Sequence, residues 1–141
     1  MAMTIHVDIV SAEGAIHSGL ATMVFATAEM GEVGIAPRHT AFISRLRPGD
    51  VRVQKENGEQ DHFYVSGGML EVQPNVVTVL ADTAIRARDL DEAAAMEAKR
   101  RAEDALAGQT AKFEYAKAQV ELAEAVAQLR AIEKLRKMKG R

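Results

Sequence analysis

All three prolines of this chain (Pro37, Pro48, Pro74) and eight of its ten glycines fall within the first 88 residues; beyond that point only Gly108 and Gly140 occur and alanine dominates. Prolines and glycines scattered between short apolar runs punctuate strands. Alanine-rich sequence without proline favours helix. The break therefore predicts two parts of different chemistry: a β domain over residues 1–88 and a helical segment over residues 89–141. A length of 141 residues suits one small domain with an appendage, and 48% hydrophobic residues supports a packed core.

The first part carries a period of two. Ile5, Val7 and Ile9 alternate with His6, Asp8 and Val10, and Val51 and Val53 flank Arg52; each pattern lines one face of a strand. Asn57-Gly58 is a strong hairpin signal. His62–Ser66 is aromatic and β-branched and is broken by Gly67-Gly68. Met69–Val72, a turn at Pro74-Asn75 and Val76–Leu80 complete the series. Several short strands at this spacing predict an antiparallel β-sandwich.

The second part predicts an antiparallel two-helix hairpin. Asp89 and Glu92 have capping-box spacing, with Asp91 also favourable at a helix N-terminus. The first helix is expected to run to about Leu106. Gly108 suits a C′ position, and Thr110 can cap the second helix. In that helix Ala111, Tyr115, Ala118, Leu122, Ala125, Leu129 and Ile132 form a heptad seam. The facing stripe, Ala94, Ala98, Ala102, Ala105 and Leu106, is mostly alanine, so the hairpin buries little apolar area. A weakly held hairpin is a candidate moving part. Six bases lie between Arg130 and Arg141 against one acid, Glu133. Helix-dipole complementarity accounts for part of that excess; the rest reads as a positive surface for an acidic partner.

The remaining features exclude more than they assign. Net charge is −2, against the basic surface of a nucleic-acid binder. There is no cysteine, hence no disulfide, thiolate metal site or cysteine nucleophile. No stretch reaches the ~20 apolar residues of a membrane span, and the N-terminus lacks a signal peptide's basic region. These features predict a soluble chain made in the cytoplasm and free to dock on a membrane complex. The histidines (His6, His17, His39, His62) have no metal-ligand spacing. Gly31-Glu32-Val33-Gly34 lacks the Lys-Ser/Thr of a phosphate loop and reads as a turn. No serine sits in a nucleophile elbow and no carboxylates form an acid–base pattern. The residues favour an interaction protein over an enzyme.

Four stretches carry a family resemblance: GEVGIAPRH (31–39), RPGDVRV (47–53), VSGGMLEVQPNVVTVLADTAIRARDLDEA (65–93) and AQLRAIEKLRK (127–137). In order and spacing the chain resembles the epsilon subunit of bacterial F-type ATP synthases. The resemblance implies a non-catalytic rotor subunit of the central stalk, one copy per complex, at the cytoplasmic side of the bacterial inner membrane. Its implied partners are the gamma subunit, the ring of c subunits and the alpha/beta catalytic head. It implies coupling of proton flow to ATP synthesis, with a hairpin that inhibits ATP hydrolysis when it extends into the head.

By the same resemblance Glu32, Gly34, Pro37, Arg38 and His39 form the loop facing the c-ring and gamma. As structure alone, that segment is a turn within the sandwich. After His39 the family commonly has Ala-Pro-Leu, where this chain has Thr40-Ala41-Phe42. Arg130, Lys134, Arg136 and Lys137 match the inhibitory helix that meets an acidic segment of the beta subunit. Relatives that bind ATP at the hairpin carry Ile/Leu-Asp-x-x-Arg-Ala; here Leu90-Asp91-Glu92-Ala93-Ala94-Ala95 places Ala94 at the arginine position. Asp91 and Arg101 remain as a degenerate ATP site, so weak or absent ATP binding is expected. The alternative function is an ATP-sensing module. No metal and no resident cofactor are implied.

Overall fold

The computed structural model describes residues 3–108 and 112–139. The chain divides between Arg86 and Ala87 into two compact units.

The first unit is a nine-stranded sheet folded over its own core. Its strands are β1 Ile5–Ser11, β2 Gly14–Ala21, β3 Met23–Ala28, β4 Gly31–Ile35, β5 Phe42–Gln54, β6 Gln60–Val65, β7 Gly68–Val72, β8 Val76–Ala81 and β9 Ala84–Arg86. The order is β2-β1-β8-β7-β5-β3-β4, with β6 joining β5 to β9. The 13-residue β5 serves both layers. Its first half pairs with β7 (Phe42↔Val72 to Leu46↔Gly68), its second with β6 (Gly49↔Val65 to Gln54↔Gln60). Pro48 lies between the halves, where no ladder hydrogen bond is asked of it.

Alternation along each strand fills the space between the layers. Ile5, Val7, Ile9, Leu70, Val72, Val77 and Val79 come from one layer; Val24, Ala26, Val51, Val53, Phe63 and Val65 come from the other. All are essentially inaccessible to solvent. At about 1.5–3 kcal/mol for each large apolar side chain fully buried, this core dominates the unit's stability.

The sandwich is mainly antiparallel, as expected, with one parallel pair among the described strands: β1 with β8, His6↔Val76 to Val10↔Leu80. These strands are far apart in sequence and are joined through the rest of the sandwich, and such a crossover permits a parallel pair. Gly31–Gly34 is not a turn but most of β4, paired antiparallel with β3 from Ala28↔Gly31 to Val24↔Ile35. Only Gly31, at φ +130°, has turn geometry.

The second unit begins with a 3-10 turn, Ala87–Asp89, followed by α1 Glu92–Ala107 and α2 Lys112–Lys139. The cap of α1 is Asp91, not Asp89: Asp91 is extended and its Oδ1 accepts the Ala94 N–H at 3.1 Å. Asp89 is spent in the preceding turn, so the Asp89/Glu92 box does not form. Gly108 ends α1 in an extended conformation (φ −78°), with its N–H on the Asp104 carbonyl at 3.1 Å. The left-handed C′ expected there is not adopted, so nothing at that position requires glycine. Thr110 and Ala111 lie outside the described residues.

The helices pack antiparallel. Among the described residues the unit's buried side chains are all alanines: Ala87, Ala95, Ala102, Ala118, Ala125, Ala127 and Ala131. Leu122, Leu129 and Ile132 are half-buried, and Tyr115 is exposed. On α1 the stripe centres on Ala95 and Ala102; Ala94, one residue or about 100° around the helix, faces out.

Candidate functional site

Glu32 and Gly34 project from the same exposed face of β4, an edge strand. Glu32 accepts a hydrogen bond from Nη2 of Arg52, two strands away on β5. The same guanidinium donates through Nη1 to Asp50 Oδ2 at 3.2 Å and lies 4.7 Å from the Phe25 ring centroid. Phe25 is registered between Gly34 on β4 and Arg52 on β5. A Cβ at Gly34 would meet that ring at 3.4 Å. Two carboxylates and an aromatic face thus fix Arg52, and Arg52 in turn fixes the direction of Glu32.

Pro37, Arg38 and His39 form the turn after β4. The Arg38 N–H reaches the Pro74 carbonyl at 2.9 Å and the His39 N–H the Ala36 carbonyl at 3.2 Å. Arg38 has φ +63°, the one non-glycine residue with positive φ among the described residues. That conformation costs roughly 1–2 kcal/mol for an L-residue. The His39 ring packs edge-on to Phe42 at 6.4 Å. With Val33, Gly34 and Ile35 these two rings line a small apolar hollow of about 230 Å³. The structure therefore brings Gly34 and His39 together at the hollow and ties Glu32 to the Arg52 network.

The four basic candidates of the second unit, Arg130, Lys134, Arg136 and Lys137, share the last three turns of α2. Arg130 and Lys134 are exposed. Lys137 Nζ lies 3.4 Å from Glu133 Oε1, an i,i+4 pair. Arg136 makes a two-pronged contact with Glu92 at the start of α1, Nη1 to Oε1 at 3.1 Å and Nη2 to Oε2. Asp91 and Arg101 are not brought together. Asp91 caps α1, and Arg101 lies ten residues on, about 15 Å along the helix and on a different face.

Two polar groupings on the sandwich escaped the sequence reading. Ser18 Oγ donates to Asp8 Oδ1 at 2.7 Å, and His6 Nε2 lies 3.0 Å from that same oxygen and 3.2 Å from Ser18 Oγ. The Ser18 hydrogen bond, backed by His6, holds the Asp8 carboxyl below its usual range. This is not a nucleophilic triad: Asp8 and Ser18 meet the same ring nitrogen, so the carboxylate cannot orient the imidazole through the other one. Period-two alternation placed His6 and Asp8 on one face, but the pairing with β2 that adds Ser18 has no local signal. His17 packs edge-on to Phe63 at 5.3 Å, and Arg86 Cζ sits 5.1 Å from the same ring's centroid. Burial pushes the His17 imidazole below its usual range, with the Arg86 charge acting the same way and Asp61 opposing. Among the described residues no three His, Asp or Glu side chains gather as metal ligands. No described helix is long and apolar enough to cross a membrane.

The chain is thus a mixed-sheet sandwich followed by an alanine-packed hairpin, with its candidate polar sites at a sheet edge and a helix end. The family model "ATP synthase, Delta/Epsilon chain, beta-sandwich domain" matches residues 4–87, and "ATP synthase, Delta/Epsilon chain, long alpha-helix domain" matches residues 88–133. The chain belongs to the delta/epsilon family of ATP synthase subunits. It is 66% identical to the ATP synthase epsilon chain of Nitrosococcus oceani over 99% of this chain and 100% of that one. It is 65% identical to that of Thioalkalivibrio sulfidiphilus, over 97% and 98% of the two chains. In fold it matches a chain of the Euglena gracilis mitochondrial ATP synthase structure with a TM-score of 0.83, covering 92% of this chain and 81% of that one at 19% identity. A chain of the Tetrahymena thermophila central stalk and c-ring structure matches with a TM-score of 0.64 at 11% identity, covering 92% and 97%. Membership makes this a non-catalytic stalk subunit of a membrane-associated complex.

Proposed function

We propose that this chain is the epsilon-type rotor subunit that couples proton flow to ATP synthesis and restrains ATP hydrolysis through its hairpin. The carrying observation is agreement with epsilon chains from end to end, both units included. Residues 1–88 dock the chain on the gamma subunit and the c-ring, and residues 89–141 regulate. One copy serves each complex, held at the cytoplasmic face of the inner membrane by its partners.

Glu32, Gly34, Pro37, Arg38 and His39 form the docking edge. Support comes from the strained Arg38 backbone, the apolar hollow and a carboxylate preset by Arg52. Strain held by surrounding structure is characteristic of functional positions. Arg130, Lys134, Arg136 and Lys137 supply the cationic surface that meets an acidic segment of the beta subunit. Exposed pairs contribute about 0–1 kcal/mol each, so several together are needed to bias a two-state hairpin. ATP sensing is not favoured, because Ala94 has no guanidinium and Asp91 is occupied as a cap.

The test uses inverted membrane vesicles from a bacterium lacking its own epsilon subunit. Supplying this chain should restore ATP-driven acidification of the vesicle interior. Binding to the complex without restored acidification would overturn the coupling role, and failure to bind would overturn the docking edge as well.

A further inference from the structure

We propose that the Glu92–Arg136 ion pair is a latch. It closes the open end of the hairpin and masks, in the closed state, a cation that α2 would present to an acidic partner; the second half rests on the function proposed above. The two residues are 44 positions apart, Glu92 in the first turn of α1 and Arg136 in the last turn of α2. They meet at the end of the hairpin opposite its connection, where fraying begins. Both Nη groups face the two carboxylate oxygens, a planar fork that an ammonium group could not reproduce.

The rest of the closed hairpin gives this contact its leverage. Among the described residues every buried side chain of the unit is an alanine. Lys137 pairs along its own helix with Glu133 and so does nothing to bridge the helices. Arg136, in contrast, ties the two helices together. In the closed form its charge is neutralised by Glu92, so an acidic surface meets a neutral pair there. Opening this end of the hairpin breaks the ion pair and exposes one cation in the same step. The pair is largely solvent-exposed (side chains 66% and 37%), so salt screens it and shifts the balance toward the open form.

The test uses the full chain, which has no cysteine of its own. Spin labels on cysteines placed at Ala93 and Met138, both exposed, report the separation of the helix ends. Glu92→Gln should lower the closed-to-open ratio about two- to fivefold at low ionic strength, the range for an exposed pair, and remove most of its salt dependence. Helix content should be unchanged, because Asp91 is the cap and Gln is about as helix-favouring as Glu. The exchange of Glu92→Arg with Arg136→Glu should close the hairpin again. A distance distribution and salt response identical to those of the unaltered chain in Glu92→Gln would overturn the latch. On alpha/beta/gamma heads, Glu92→Gln should inhibit hydrolysis more strongly than the parent chain, and the exchanged pair less. Altered closure with unaltered hydrolysis would uphold the latch and overturn the masking, so the two failures are separable.

Discussion

Gly68 opens β7 and is paired on both sides, to Leu46 of β5 and Ala81 of β8. Its φ is +136°, and a Cβ there would fall 2.9 Å from the Ala81 Cα and 3.0 Å from the Leu80 carbonyl carbon. Those neighbours are backbone and cannot swing away. Gly67 has nearly the same φ, +131°, but a Cβ there would meet the movable Asp82 Oδ2 at 3.3 Å. The two positions therefore separate conformational strain from collision. Gly67→Ala should cost about 1–2 kcal/mol, the strain alone. Gly68→Ala adds displacement of a paired strand and should cost about 3 kcal/mol or more. For a unit of this size each kcal/mol is worth roughly 4–8 °C, so Gly68→Ala should lower Tm by at least about 12 °C. Urea titration in a Tyr115→Phe background, where tyrosine fluorescence comes from Tyr64 alone, buried in the sandwich, measures both variants. Equal losses in the two, or a Gly68→Ala chain as stable as the parent, would refute the reasoning.

Asp91→Ala should remove about 0.5–2 kcal/mol from the hairpin by uncapping α1, seen as earlier loss of the 222 nm helix signal with the Tyr64 transition unmoved. His17 should make the sandwich lose stability on acidification. Its folded-state pKa is lowered, so the unfolded chain takes up a proton as pH falls through its ordinary value of 6.5 while the folded chain does not. His17→Leu should flatten that slope in urea titrations between pH 7.5 and 5.5; an unchanged slope would rule out His17 as its source. Calorimetry with ATP should show no binding at micromolar ligand, and a micromolar Kd would overturn the reading of Ala94.

The architecture was legible because two periodicities and one compositional break carry it. β1 and the second half of β5 alternate as Ile5, Val7, Ile9 and Val51, Val53 announce, and Asn57-Gly58 turns with Gly58 at φ +86°. β2, β3 and β4 were not individually legible. Their residues alternate weakly, and Gly19 and Gly34 imitate turns inside strands, while Gly14 and Gly31, both at φ +130°, do stand at turns. The parallel β1·β8 pair had no local signal, since it depends on how the whole sandwich closes. In the hairpin, residue type gave the alanine seam but not its phase; Ala95 rather than Ala94 is buried because packing against α2 selects that face. The site was legible only as a set of residues. That Arg52 governs Glu32, and that Glu92 holds Arg136, depends on registers and on a contact across 44 residues. Local sequence cannot encode either.

The central claim is tested most directly by ATP hydrolysis of alpha/beta/gamma heads lacking epsilon, measured with the full chain and with a chain ending after Arg88. The account predicts that both bind and that only the full chain inhibits. Equal inhibition by the two, or none by either, would contradict the assignment of the brake to the hairpin.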